Sequence, residues 1–480
     1  MLVTTTETAE LEQIVGAATA VAPLLEDLGR AGRAELLRAM ADALEADRDG
    51  IVTTAAEETA LTTPRLNGEL TRTCYQLRLF AETLDEGSYL EATLDSRGDT
   101  PVGPRPDLRR MLVPIGAVAV FGASNFPLAF SVPGGDTASA LAAGCPVVLK
   151  AHESHLETSR RCLDALRSVA PAGVIDAVYG REAAGALVSH PAIKAVGFTG
   201  SVAGGRALLE LIHRRPDPIP FYGELASINP IVVTPDAAAE RAEAIGAGFA
   251  ASVTGSAGQL CTKPGLLFAP TGPDGDKLAA AAATALAEVP ATRLLNRRIH
   301  DSYRSGTTAL REAAHVLAEV DGDTGPLLLQ VPAAQLDERV TEECFGPVAV
   351  IVRYPGESEL DSALSSLPAS LTATIHADAA ADQERLTKLL RPKAGRLLYG
   401  GFPTGVAVSH AQHHGGPWPA TNTLHTSVGT TAIRRFLRPV TWQDAPQAVL
   451  PKELRDGPAE IPRRIDGALV LPGVLSGRQR

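Results

Sequence analysis

Ile193-Lys194-Ala195-Val196-Gly197-Phe198-Thr199-Gly200-Ser201-Val202-Ala203-Gly204-Gly205-Arg206 is the stretch from which the fold can be read. Its β-branched and aromatic run over 193–199 predicts a strand, a glycine turn follows over 200–205, and Arg206 to His213 carries a helical pattern. Strand, turn and helix in that order are one unit of a parallel sheet. Such a turn can bring backbone N–H groups and a helix N-terminus up to a pyrophosphate, which makes Gly200, Ser201 and Gly205 candidate cofactor contacts. Simple turn geometry is the competing explanation. The usual GxGxxG spacing and its acidic partner on a following strand are both absent.

Working outward, the alternation continues. Upstream, 117–121, 146–150 and 174–178 read as strands and 136–143 and 157–169 as helices; a second alternating run extends from 231 to about 375. The fold class is therefore α/β, with two doubly wound, Rossmann-like domains and a cleft between them. Residues 6–90 are helical throughout, with apolar positions three and four apart in Leu36, Leu37, Met40 and Leu44. The Gly/Pro/Arg-rich segment 96–113 suits an arm that makes subunit contacts. Between Tyr399 and Thr431 charges nearly vanish, yet Phe402, Val406 and Trp418 point to a packed loop lining a cleft. A polar, Pro-rich tail follows Arg438.

Composition narrows the function. A chain of 480 residues with a formal net charge of -11 is a poor ligand for nucleic acid or an anionic membrane, so a small-molecule substrate is expected. The five cysteines are odd in number and form no CxxC pair, which fits a reducing cytoplasm and argues against a thiolate zinc site. The N-terminus has no secretory pattern, and no apolar run is long enough to span a membrane.

The chemistry gathers around Gly255-Ser256-Ala257-Gly258-Gln259-Leu260-Cys261-Thr262-Lys263-Pro264-Gly265, where a lone cysteine sits in a small-residue loop between a helical pattern and an apolar strand. A free cysteine is more often a small buried hydrophobe. Here Glu224 is a candidate base and Asn125 a candidate oxyanion donor. A thiolate, a carboxylate and an amide beside a nucleotide site fit oxidation of an aldehyde through a thioester. Asn125 and the Cys261 backbone N–H would steady the oxyanion, and Glu224 would activate the hydrolytic water with a pKa raised by burial.

Five motifs in order carry a family resemblance: Asn125-Phe126-Pro127, Phe198-Thr199-Gly200-Ser201, Glu224-Leu225, Gly258-Gln259-Leu260-Cys261 and Glu342-Glu343-Cys344-Phe345-Gly346-Pro347. The chain resembles the aldehyde dehydrogenase superfamily over nearly its whole length. The resemblance implies the aldehyde dehydrogenase fold, with 1–95 and 114–226 binding the cofactor, 96–113 and part of the tail forming an oligomerisation arm, 227–438 catalytic and 439–480 a C-terminal tail. It also implies that Cys261 is the nucleophile, Glu224 the base and Asn125 the oxyanion donor, with Lys150 on the adenosine ribose, Ser201 on the pyrophosphate, Glu343 on the nicotinamide ribose and Phe345 beside the nicotinamide. A homodimer or homotetramer is expected.

Departures refine the picture. Glu224-Leu225-Ala226-Ser227 replaces the common Glu-Leu-Gly-Gly, and Ala123-Ser124-Asn125 the common Pro-Trp-Asn. With Gly415-Gly416-Pro417-Trp418-Pro419 and Thr430-Thr431-Ala432-Ile433-Arg434-Arg435-Phe436, these features are similar to the 2-oxoglutarate semialdehyde (2,5-dioxovalerate) dehydrogenases and NADP-linked fatty aldehyde dehydrogenases. A CoA-acylating relative would often lack the acid found at Glu224, and a non-catalytic descendant would have lost part of the Cys261, Glu224 and Asn125 set.

Glu153 is either a ribose-facing carboxylate that favours NAD or a first-turn acid of the following helix. Lys150, His152 and His155 offer positive or donor groups to a 2′-phosphate, so both NADP and NAD are expected, with NADP slightly preferred. His410, His413 and His414 have no cysteine or carboxylate at ligand spacing, so no metal centre is expected. Arg434 and Arg435 read as surface or interface charges, and Cys145, Cys162 and Cys344 as core positions.

Overall fold

The computed structural model describes residues 5–473. Five parallel strands form the first sheet, in the spatial order Ile175–Val178, Val147–Lys150, Val118–Phe121, Ala195–Thr199 and Phe221–Glu224. Every residue of 118–121 and 147–150 is buried, which is why these segments read as unbroken apolar runs: helices cover both faces. On one face Leu37, Met40, Leu44, Leu70 and Leu77 pack against Val118, Val120, Val147 and Leu149; on the other Leu11, Val15 and Ala18 meet Ala119, Val148 and Val196. Each such leucine contributes about 1.5–3 kcal/mol by leaving water. The sheet grows one way from Val118–Phe121 and then the other, so its switch point lies beside Ala195–Thr199. Ligands of such sheets bind at the carboxyl ends there.

The second sheet has seven strands in the order His315–Glu319, Leu327–Pro332, Val348–Tyr354, Leu266–Pro270, Ile231–Val233, Ser370–His376 and Ala394–Tyr399, parallel except for the first. Only residues 225–230 separate the last strand of one sheet from Ile231 of the other. A third sheet is built from Leu437–Gln443, Leu108–Pro114, Thr93–Asp95, Arg463–Ile465 and Ala468–Val470. Strand Leu108–Pro114 of segment 96–113 belongs to this sheet, which reaches back to Thr93 and into the chain's end from Leu437, and its Leu94 and Met111 join the apolar core of the first domain.

Two readings need correction. The helix after Ala195–Thr199 starts at Val202, because the Ser201 side chain caps it by accepting from Gly204 N at 3.2 Å. The glycine turn is thus only Gly200–Ser201, and Gly205 lies inside the helix, where a Cβ would come within 2.6 Å of Leu225. Arg435 is not a surface charge. It is 2% exposed and paired at 2.7 Å with Asp136, whose charge makes its burial tolerable, while its neighbour Arg434 stays outside and pairs with Glu91.

Candidate active site

The first sheet delivers its residues from carboxyl ends. Lys150 and Glu224 are the last residues of their strands, Gly200 and Ser201 follow Thr199, and Asn125 stands four residues past Phe121. The second sheet delivers from amino ends: Cys261 precedes Leu266–Pro270, and Glu343 and Phe345 precede Val348–Tyr354, its parallel neighbour. One edge faces the other.

The nucleophile loop is held under backbone strain. Ser256 and Ala257 both take left-handed φ (55° and 53°), a conformation costing about 1–2 kcal/mol per non-glycine residue. Gly258 (φ 66°) follows and approaches the Glu343 loop so closely that a Cβ would lie 2.1 Å from the Gly346 carbonyl oxygen. Asn229, buried and itself at φ 50°, donates from Nδ2 to the carbonyls of Cys261 (2.9 Å) and Lys263 (3.0 Å). Asn125 Nδ2 donates to Gln259 O at 3.0 Å, which spends one amide proton on the loop and leaves the other.

Around the thiol the structure assembles a group that no local pattern announced. His414 Nε2 lies 2.8 Å from Glu224 Oε1 and 3.5 Å from Cys261 Sγ, and Ser427 Oγ donates to Glu224 Oε2 at 2.5 Å. The ligand-type atoms of Glu224, Cys261 and His414 all lie within 4.8 Å of one another. The cysteine and carboxylate missing near the histidine cluster in sequence thus arrive from far away. Sequence reasoning left His414 unassigned, and its sole signal was a polar, glycine-rich loop with packed apolar members.

Glu224 departs from expectation. Burial pushes its carboxyl up, but the His414 charge and hydrogen bond, with Ser427 and Cys261, outweigh burial and hold it below the ordinary carboxylate range. Cys261 moves the opposite way: burial, then the charge of Glu224, raise the thiol well above its usual value. The proton therefore rests on sulfur, with a resident carboxylate beside it. Glu343 Oε2 accepts from Ser227 N at 3.3 Å, and burial, only partly offset by Lys263, pushes this carboxyl up to about 7. Cys74, Cys145, Cys162 and Cys344 are buried core cysteines, whereas Cys261 is partly open.

On the nucleotide side, Lys150 Nζ is ion-paired with Glu153, giving a donor and an acceptor side by side. Glu153 lies before the helix Leu156–Arg167, so it is not a first-turn acid. His155 is fully buried, with Nε2 2.9 Å from Ala123 O, and is not open to a phosphate. His152 stacks on it; burial, then His155, lower its pKa to about 3, leaving a neutral ring at pH 7. Across the cleft Arg298 reaches Ser201 Oγ at 3.4 Å, a cation that sequence reasoning missed. Paired donor and acceptor for a ribose, with a hydroxyl, a guanidinium and a helix N-terminus for phosphates, form a set that fits a dinucleotide.

The aldehyde dehydrogenase family model matches residues 1–299. The chain is 48% identical to alpha-ketoglutaric semialdehyde dehydrogenase 2 of Azospirillum brasilense, covering 91% of this chain and 87% of that one. It is 42% identical to alpha-ketoglutaric semialdehyde dehydrogenase of Acinetobacter baylyi, again over 91% and 87%. Methylmalonate-semialdehyde dehydrogenase from Oceanimonas doudoroffii shares the fold, with a TM-score of 0.79 over 92% of both chains at 21% identity. Strand-end placement of the motif residues, a cysteine beside a carboxylate and these relatives agree: the chain belongs to the aldehyde dehydrogenase family, whose members oxidise aldehydes with a nicotinamide cofactor.

Proposed function

We propose that this enzyme oxidises 2,5-dioxovalerate (2-oxoglutarate semialdehyde) to 2-oxoglutarate, with Cys261 as nucleophile, Glu224 as base and Asn125 as oxyanion donor. The contact of Cys261 Sγ with His414, itself 2.8 Å from Glu224, carries the mechanistic reading; the names of the two relatives above support the substrate. The Cys261 proton passes to the adjoining carboxylate as sulfur adds to the aldehyde carbon, and His414, 2.8 Å from Glu224, holds that carboxylate in place. Asn125 Nδ2 and the Cys261 N–H bind the oxyanion of the thiohemiacetal, where one lost donor costs about 100- to 1000-fold in rate. The oxidised nicotinamide, when bound, supplies the hydride acceptor that converts thiohemiacetal into thioester. Once the thiol proton has passed from Glu224 to solvent, Glu224 takes a proton from water as it attacks the thioester; Cys261 leaves as thiolate and regains a proton from Glu224.

Lys150 and Glu153 hold the adenosine ribose, Ser201 and Arg298 the phosphates, and Glu343 and Phe345 the nicotinamide end. Gly200 shapes the turn and Gly205 seats the helix on Leu225. Residues 1–95 and 114–226 bind the nucleotide, and 227–438 carry out catalysis. NADP is slightly preferred over NAD, since the Lys150 ammonium stands at the strand end assigned to the adenosine ribose. Val102, on the turn between the paired strands Gly98–Thr100 and Gly103–Arg105, and Leu469 and Leu471 at the chain's end are exposed (97%, 62% and 52%), which supports a homodimer or pair of dimers joined there. The test is reduction of NAD and NADP with semialdehydes and neutral aldehydes of C4 to C12. The highest kcat/KM is expected with 2,5-dioxovalerate and NADP; a long aliphatic aldehyde as best substrate overturns the reading.

A further inference from the structure

We propose that Arg72 is the anchor for a carboxylate at the far end of the substrate, forming a subsite one aromatic ring away from the catalytic trio. This deepens the function proposed above and rests on it. Arg65, Glu69 and Arg72 share one face of the helix Thr63–Glu86. Glu69 accepts from Leu128 N (2.8 Å) and Ala129 N (2.9 Å), and Arg65, 3.6 Å from Glu69, donates to Asn125 O at 2.8 Å. Those two side chains fix the segment that carries Asn125 and Phe130.

Arg72 is the member left over. Among the described residues it has neither an ion pair nor a hydrogen bond, and its Nη1 is buried without a partner. The guanidinium lies over the Phe130 ring at 5.1 Å, and that ring is 6.4 Å from the His414 ring, which touches Cys261. Burial lowers its proton affinity, while the charges of Glu69, Cys261 and Glu224 oppose that effect. A buried guanidinium N–H without an acceptor is costly, and a planar carboxylate satisfies it with two parallel bonds. Arg396 also feels the Cys261 charge, but its Nη atoms are already committed to the carbonyls of Gly405 (3.0 Å) and Pro403 (2.6 Å). A neutral alkyl chain leaves Arg72 unmatched, so the same residue discriminates against neutral aldehydes.

The experiment compares succinic semialdehyde with butanal, two four-carbon aldehydes that differ in the distal carboxylate. In Arg72→Met the ratio of their kcat/KM values should fall roughly 10- to 100-fold, mainly through KM of the acid, and Arg72→Lys should recover part of it. Calorimetry with 2-oxoglutarate, in a Cys261→Ala chain that cannot turn over, should show weaker binding by a similar factor when Arg72→Met is added. An unchanged ratio, or 2-oxoglutarate binding that survives the change, overturns the assignment. Should the unmodified enzyme itself fail to prefer succinic semialdehyde over butanal, the proposed function falls and takes this inference with it. A preference that is present but insensitive to Arg72 sinks the inference alone.

Discussion

Glu224 and Glu343 approach the Cys261 thiol from different sheets, and their surroundings drive them apart. Burial pushes both carboxyls up. At Glu224 a histidine at 2.8 Å and a hydroxyl at 2.5 Å overcome that push, so the group stays an anion. At Glu343 the opposing groups are a backbone N–H at 3.3 Å and the charge of Lys263, and the carboxyl remains near 7. The same residue type thus gives a permanent base in one place and a group that changes charge at working pH in the other. Donors, counted and placed, decide the role.

Glu224→Gln is the harshest test of that division. Steady-state turnover is expected to fall about 100- to 10,000-fold, whereas the first turnover, seen by rapid mixing as a burst of reduced cofactor, slows much less, because losing the Glu224 charge also removes one of the causes that raise the Cys261 thiol. Equal slowing of both phases would mean that taking the thiol proton matters as much as activating water.

His414→Gln should make Glu224 resemble Glu343. The histidine is the leading influence opposing burial, so its loss raises the Glu224 carboxyl and moves the acid limb of the pH–rate profile to higher pH. At pH 6 the rate should drop roughly 10-fold, and at pH 8 by less, because ionisation returns there. An acid limb that stays in place would break the comparison.

Glu343→Gln probes the other side through stability. A carboxyl with an ordinary unfolded value near 4.5 and a folded value near 7 favours unfolding as pH rises between those two, and the penalty is complete above 7. The variant should therefore gain little at pH 4.5 and at most about 3 kcal/mol at pH 8, read as a difference in Tm that grows across that window. A difference that is flat with pH would return Glu343 to an ordinary carboxylate.

Much of this was legible in sequence, for physical reasons. Strand ends fell within two residues of the readings for 118–121, 147–150 and 175–178, because buried parallel strands are apolar runs bounded by glycine or proline. Cys261, Glu224 and Asn125 stood out through local company. The helix at Val202 was set too late because Gly204 and Gly205 read as turn residues, while the Ser201 cap that overrides them shows only in three dimensions. His414 meets Cys261 and Glu224 across separations of 153 and 190 residues, and no periodicity encodes such a contact. Arg72 lies in a stretch, 6–90, whose pattern reads only as helix, and nothing local sets it apart. What a site needs from afar is written in packing, and a single sequence carries it only implicitly.

The smallest expected effect concerns the cofactor. Glu153 precedes its helix and binds Lys150, so it acts by neutralising the one ammonium at the end of that strand. Burial pushes the Glu153 carboxyl up, but the hydrogen bond and charge of Lys150 win, and the group stays ionised at neutral pH. A 2′-phosphate entering there meets a like charge and a lysine already engaged. Glu153→Ala removes the first and frees the second. Half-exposed ion pairs are worth only about 0–1 kcal/mol, so the ratio of kcat/KM for NADP over NAD should rise about 3- to 5-fold, no more. Because the interaction is exposed, the gain should shrink as salt rises to about 0.5 M, where the screening length falls to a few ångströms. Steady-state kinetics with both cofactors at two salt concentrations decide it. A ratio that stays still or moves toward NAD would show that Glu153 holds Lys150 in place without touching the choice of cofactor.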